Sequence, residues 1–157
     1  MEPIVLVEGV SDVAALRALG VQARIVPMGG AMSVRRFVAD LTPTGVRLIG
    51  LCDSNEQRFF HAVLDEVFVC EADLEDELIR ALGIDTVIDV IDEQGDARAL
   101  RVFQNQPAQR ARTTTEQLHR FLGTMGGRKE RYAAALAHAL VEVPKPLAPL
   151  IAATRRR

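Results

Sequence analysis

Tryptophan is absent from the sequence, tyrosine occurs once and phenylalanine six times. Reading single-stranded nucleic acid by base stacking needs several exposed aromatic rings, so this composition argues against it. Cysteine occurs twice, at Cys52 and Cys70. Two thiols cannot build a disulfide framework. Each ends an apolar, strand-like run, so reduced and buried thiols are expected. His61, His119 and His138 share no metal-ligand spacing with one another or with the cysteines, so no zinc motif is visible. No apolar stretch is long enough to span a membrane; the longest are strand-length and broken by charge or glycine. The opening Met1-Glu2-Pro3-Ile4 places no basic segment ahead of an apolar core. No secretory leader and a cytoplasmic location are therefore the expectation. Gly29-Gly30 lacks the following Lys-Ser/Thr of a P-loop, which leaves no ATP site.

What is present suits one globular domain. The chain has 157 residues, 48% of them hydrophobic and 25% charged. The net charge of −2 conceals a segregation. Residues 1–97 carry 7 Lys/Arg against 18 Asp/Glu, whereas residues 98–157 carry 12 against 3. An acidic first part suits cations, and a basic second part suits phosphates. Interleaving of the two on the folded surface is the plainer alternative.

Ile4-Val5-Leu6-Val7 is continuously apolar, as expected of a strand buried on both faces. A helix capped by Ser11 or Asp12 should follow, running to about Leu19 and stopped by Gly20. Ala23 to Pro27 reads as a second strand, and Ser33 to Leu41 as a helix capped by Ser33. Val46 to Cys52 reads as a third strand ending at Asp53, then a helix over Glu56 to Leu64. Val67 to Cys70 is the fourth strand, and Asp73 caps a helix that stops at Gly83. Strands alternating with helices predict a parallel sheet with crossover helices. From Thr86 onward the pattern is helical, with pieces over Asp96–Phe103, Thr115–Leu122 (capped by Thr114 or Thr115) and Arg131–Val141. Pro144, Pro146 and Pro149 are expected to break regular structure, and Thr154-Arg155-Arg156-Arg157 to fray.

Open parallel sheets bind ligands beyond the carboxyl ends of their strands. Three acidic groups fall there: Glu8 with Asp12 after the first strand, Asp53 after the third, and Glu71, Asp73 and Glu75 after the fourth. Carboxylate oxygens are hard ligands that suit Mg²⁺ or Mn²⁺. Asp12 and Asp73 could equally serve as helix caps, and Glu75, Asp76 and Glu77 as an acidic first turn. Glu8 and Asp53 are harder to assign to structure, because an unpaired charge beside a buried strand is costly. Tyr132 is expected to be a packing residue.

Val7-Glu8-Gly9-Val10-Ser11-Asp12 resembles the first motif of Toprim domains. Gly29-Gly30, Leu51-Cys52-Asp53-Ser54-Asn55 and Asp73-Leu74-Glu75 follow in the order of that family. The Glu-Gly-x-Ser-Asp form with a later Asp-Leu-Glu is most similar to the OLD-family version. The likeness covers about residues 4–80 and extends more loosely to Gly127-Arg128-Lys129-Glu130-Arg131-Tyr132-Ala133. It implies an α/β, Rossmann-like Toprim fold of about four mainly parallel strands flanked by helices. It implies one domain over 1–157: a metal-binding α/β core over 1–83, a helical completion over 84–150 and a basic tail over 151–157. The implied activity is Mg²⁺- or Mn²⁺-dependent cleavage of nucleic-acid phosphodiesters, DNA favoured over RNA. Glu8 would be a metal ligand and general acid/base; Asp12, Asp53, Asp73 and Glu75 would complete the metal set; Lys129 would stabilise the phosphate. In OLD proteins an ATPase precedes this part, so here an ATPase would act in trans. Arg110, Arg112, Arg128 and Arg131 are candidates for contact with the nucleic-acid backbone. One departure matters: the second acid of Asp-x-Asp is Asn55, which weakens the metal set. A module that binds nucleic acid or a partner without turnover is therefore the alternative. A receiver-like protein or a phosphatase also places an aspartate after a parallel strand, but Glu-Gly after the first strand fits those poorly.

Overall fold

The computed structural model describes residues 1–124 and 127–156. Four strands, β1 (Ile4–Val7), β2 (Arg24–Pro27), β3 (Leu48–Asp53) and β4 (Val67–Cys70), form one sheet. The order is β2-β1-β3-β4, and every neighbouring pair is parallel. Successive strands are joined through α1 (Val10–Ala18), α2 (Val34–Leu41) and α3 (Gln57–His61). The chain continues through α4 (Leu74–Leu82), α5 (Ile84–Glu93), α6 (Ala97–Gln104), α7 (Thr114–Gly123), α8 (Arg128–Ala139) and α9 (Leu147–Arg155). None of the described helices is long and apolar enough to cross a membrane.

β1 is apolar at every position because both of its faces are covered. Successive side chains of a strand leave on opposite sides. Val5 and Val7 enter the larger apolar cluster with Leu16, Leu78, Leu118 and Leu136, among others. Ile4 and Leu6 enter a smaller one, closed by Val34, Phe60 and Leu64. The larger cluster reaches from Val5 to Ala153, so the helical second half shares a core with the strands. Within it α1 packs chiefly against α8.

Several boundaries differ from expectation, each for a local reason. Gly9, not Ser11 or Asp12, caps α1, because the Asp12 side chain reaches back to the Gly9 amide from the third helical position. Ser33 ends a 3₁₀ turn (Ala31–Ser33) and makes no capping bond. The segment expected to be helical over 56–64 is a 3₁₀ turn (Ser54–Glu56) followed by the short α3. Thr113 caps α7 through the Glu116 amide. Of the tail expected to fray, Thr154 and Arg155 form the end of helix α9 instead. Pro149 sits in its first turn, where a missing N–H costs no intrahelical bond. The Arg47 guanidinium then ties this helix to the sheet. It donates to both Glu66 carboxylate oxygens, at 2.8 and 2.7 Å, and to the Ala153 carbonyl at 3.1 Å. Arg157, the last residue of that expected tail, lies outside the described residues.

Gly50 lets α3 approach β3. A Cβ at this position would stand 2.7 Å from Phe60 Cδ1 and 2.9 Å from Leu64 Cδ1, inside van der Waals contact. Gly50→Ala is expected to destabilise the fold by about 1–2 kcal/mol, overpacking outweighing the entropy that alanine saves. Chemical denaturation of the two proteins measures it.

Candidate metal centre

A parallel sheet brings the carboxyl ends of all its strands to one edge. Glu8 is the first residue beyond β1, Asp53 the last of β3, and Asp73 follows β4 by three residues. Together with Asp12, Glu75 and Lys129 they line one cleft of ≈ 280 Å³, whose remaining wall is Gly9, Ser11, Gly29 and Gly30. The structure thus gathers Glu8, Asp12, Asp53, Asp73, Glu75 and Lys129, drawn from both halves of the chain.

The backbone of this edge is built for close approach. The Glu8 carbonyl accepts from the Gly29 and Gly30 amides, at 2.9 and 3.2 Å. Both glycines have positive φ, 74° and 141°, which a residue with a Cβ rarely adopts. The Gly-Gly pair therefore folds back under Glu8 and leaves that side of the cleft free of side chains.

The five carboxylates are not equivalent. Asp12 Oδ2 accepts from the Gly9 amide at 3.0 Å. Asp73 caps α4, its Oδ1 accepting from the Asp76 amide at 2.8 Å, while its Oδ2 lies 2.6 Å from His119 Nε2. An ionised carboxylate can only accept, so the imidazole N–H donates in that contact. Glu75 is buried, takes a hydrogen bond from the Ser11 hydroxyl at 3.3 Å and lies 3.5 Å from Lys129 Nζ. Among the described residues, Glu8 and Asp53 alone of the five have no side-chain hydrogen bond or ion pair. They are the carboxylates left for a ligand.

Crowding of like charge shows in their acidities. Asp53 is pushed up to about 7, first by burial and then by Asp73, Glu8, Asp12 and Glu75. Asp12 rises to about 6, mainly through burial, with the Gly9 amide and Lys129 opposing and Glu75 and Glu8 adding to it. Asp73 moves the other way. Burial resists, but the His119 and Asp76 hydrogen bonds together hold it below the usual carboxylate range. The Asp73 hydrogen bond in turn raises His119. Burial opposes the charge on Lys129, but Glu75 and Asp12 outweigh it and raise its pKa, so it is an ammonium at neutral pH. These oxygen donors suit a hard divalent cation, and the raised Asp53 marks negative charge that lacks a counter-ion. Among the described residues no three His, Cys, Asp or Glu side chains already stand together as a metal cage. The lining is an open ring of carboxylates.

Other expected participants lie elsewhere. Asn55 is exposed and absent from the cleft wall, and the half-buried Glu56 is absent from it too. Glu71 points outward to Arg80, 3.2 Å away. Arg131 is engaged by Asp96 at 2.6 Å, and Arg128 lies over the Phe121 ring at 4.2 Å. Arg110 and Arg112 are on the turn ahead of α7, outside the cleft. Tyr132 is buried and donates to Asp96 at 2.6 Å, in keeping with a packing role. Both cysteines are free and buried, and burial raises Cys52 to about 12. Sequence reasoning missed His119 and Ser11. His119 is 46 residues from its partner Asp73, and no local spacing signals that contact.

The crowding has a measurable sign. A carboxyl raised from its unfolded value of 3.8 to about 7 contributes stability below pH ~4 that is lost as pH rises through ~7. Without divalent ions, Asp53→Asn is therefore expected to be about 1–2 kcal/mol more stable than wild type at pH ~7.5, a figure discounted for partial solvent screening. The gap should close toward pH ~4. Denaturation in EDTA across that range measures it.

No family model and no curated protein matches the sequence. The structure is similar to the C-terminal region of the Burkholderia pseudomallei OLD protein, with a TM-score of 0.66 and 19% identity, over 98% of this chain and 96% of that one. It is equally similar to the C-terminal region of the Xanthomonas campestris pv. campestris OLD protein. In a structure phased with mercury the TM-score is 0.67 at 21% identity, over 98% of this chain and 94% of that one. In another, phased with iodine, the values are 0.66 and 21%, over 98% and 93%. Coverage this complete makes the helices beyond α4 part of the shared fold. The chain therefore has the Toprim fold, in the form taken by the C-terminal region of OLD proteins.

Proposed function

We propose that this chain is a nuclease-type, OLD-like Toprim domain that cleaves nucleic-acid phosphodiesters with Mg²⁺ or Mn²⁺, DNA ahead of RNA. The observation that carries it is the pair of carboxylates without a side-chain partner among the described residues, Glu8 and Asp53, in one cleft with the Lys129 ammonium. Glu8 and Asp53 would hold the ion, supported by Asp12, Asp73 and Glu75. An ion bound there supplies Lewis-acid polarisation of a phosphoryl oxygen and a stronger nucleophile at neutral pH. The chain's own groups do the rest. Lys129 places positive charge where a phosphate gains negative charge. Its contact with Glu75, at 3.5 Å, is long enough to be exchanged for a phosphate oxygen. His119 and the Asp76 amide fix the orientation of Asp73. The bare Gly29-Gly30 wall gives a backbone phosphate access beside Glu8. These residues contain no P-loop, so an ATP-driven step would come from an ATPase outside them.

Two observations favour a second reading, a module that binds nucleic acid or a partner without turnover. The neutral Asn55 is exposed, and both Asp73 oxygens are already hydrogen-bonded. Such a module binds nucleic acid in a salt-dependent way, and Asp53→Ala leaves that binding intact.

The nuclease reading predicts cleavage of a DNA substrate with Mg²⁺ or Mn²⁺ that falls by at least about a hundredfold in Glu8→Gln. Asp53→Ala should abolish the heat of Mn²⁺ binding in a calorimetric titration. A folded wild type that gives no product and behaves like Glu8→Gln selects the second reading.

A further inference from the structure

The segment from Ala97 to Thr115 holds four arginines, Arg98, Arg101, Arg110 and Arg112, and no acid. Four arginines elsewhere are held in ion pairs: Arg47 and Arg156 with Glu66, Arg80 with Glu71, Asp76 and Glu77, and Arg131 with Asp96. Among the described residues these four make no ion pair. Arg98, Arg101 and Asn105 are spaced so that they share one face of α6 and its end, opposite the buried Leu100. They border an open groove of ≈ 550 Å³ with Val102 and Gln106.

The following turn links this groove to the carboxylate cleft. Arg110 Nε donates to the Asn105 carbonyl at 3.2 Å and Arg112 Nε to the Ala108 carbonyl at 3.2 Å, and the outer nitrogens of both guanidiniums have no hydrogen-bond partner among the described residues. A ladder of amides holds the turn in place. Gln104 Nε2 donates to Gln117 Oε1 at 3.3 Å, and Gln117 Nε2 to the Gln109 carbonyl at 2.7 Å. Arg112 then lines a second groove, of ≈ 340 Å³, with Arg120, His119 and Asp73. Asp76 and Glu116 also line it; Asp76 is neutralised by Arg80, and Glu116 is its one acid without an ionic partner among the described residues. Asp73 belongs to this groove and to the carboxylate cleft alike.

We infer that the outer face of α6 and the turn after it form a track for a double-stranded nucleic-acid backbone, leading past Arg112 to the carboxylate cleft. The inference rests on the proposed nuclease reading for the polarity of the track, and it adds Arg98 and Arg101 as phosphate contacts. Four guanidiniums without an ion pair among the described residues, on α6 and the turn after it, suit the repeated charge of a duplex backbone, whereas the scarcity of aromatic rings gives bases little to stack on. Arg128 and Arg131 contribute little to it, being engaged by Phe121 and Asp96.

The test is the anisotropy of a fluorescein-labelled DNA duplex, titrated with the full chain in EDTA at several salt concentrations. The double variant Arg98→Gln/Arg101→Gln should bind about tenfold or more weakly near 0.1 M salt, and the slope of log Kd against log salt should fall by about 2. Arg98→Lys/Arg101→Lys should restore both, because lysine keeps the charge. Unchanged affinity and slope in the glutamine pair, or a wild type without salt-sensitive affinity, overturns the track. Arg110→Gln, expected to lower the slope by about 1, tests it independently should the glutamine pair fail to fold. The metal reading is judged separately by the Mn²⁺ heat of Asp53→Ala, so the two can fail independently.

Discussion

Repulsion among carboxylates at one edge of the sheet is the interaction around which the rest of this structure is arranged. Parallel strands oblige Glu8, Asp53 and Asp73 to emerge on the same side, and α1 and α4 add Asp12 and Glu75. The protein relieves this crowding from several directions. Asp12 is held by the Gly9 amide, Asp73 by His119 and the α4 cap, and Glu75 by Ser11 and Lys129. Those compensating groups come from α1, α7 and α8, which explains why the helical second half must pack onto the strand half. What is left uncompensated, at Glu8 and Asp53, is the part of the field available to a cation.

Much of this was legible in the sequence because it depends on short-range chemistry. The apolar run of β1 and the Val67–Cys70 strand lie where their patterns place them, and Asp73 caps α4 as its position suggests. The acids after the strands converge as parallel topology requires, and Lys129 joins them although it is far away in sequence. The misreadings share a cause, which is tertiary context overriding a local signal. Three prolines hid α9, because Pro149 is tolerated only where the helix begins just before it, and the burial of Leu147, Leu150 and Ile151 and the Arg47 contact to Ala153 are tertiary. His119 carries no motif, and only the packing of α7 against α4 brings it to Asp73. Nor does any local pattern announce that Asp96 accepts from both Arg131 and Tyr132, some 35 residues away.

The likeness to the two OLD C-terminal regions spans nearly the whole of each chain at about a fifth identity. A fold held mainly by apolar burial tolerates this, because hydrophobic residues of suitable volume can replace one another in a core. A site built on charge has less freedom, since Asp12, Asp73 and Glu75 are each matched to particular donors. Substitution of Ser11 or His119 therefore bears on the cleft even though neither need touch a substrate.

Gly50 gives the same cleft a second support. A helix as short as α3 has too few internal hydrogen bonds to persist alone. Its permanence is borrowed from a vacancy in β3, where Phe60 and Leu64 fill the space a side chain would take. The central strand acts as the socket of a lock and α3 as its bolt. Asp53 lies between the two, at the end of the strand and the start of the turn that leads to the bolt. Its carboxylate is thus positioned from both sides, and a single methyl group added on the far face of the sheet would be felt as a shift of charge in the cleft.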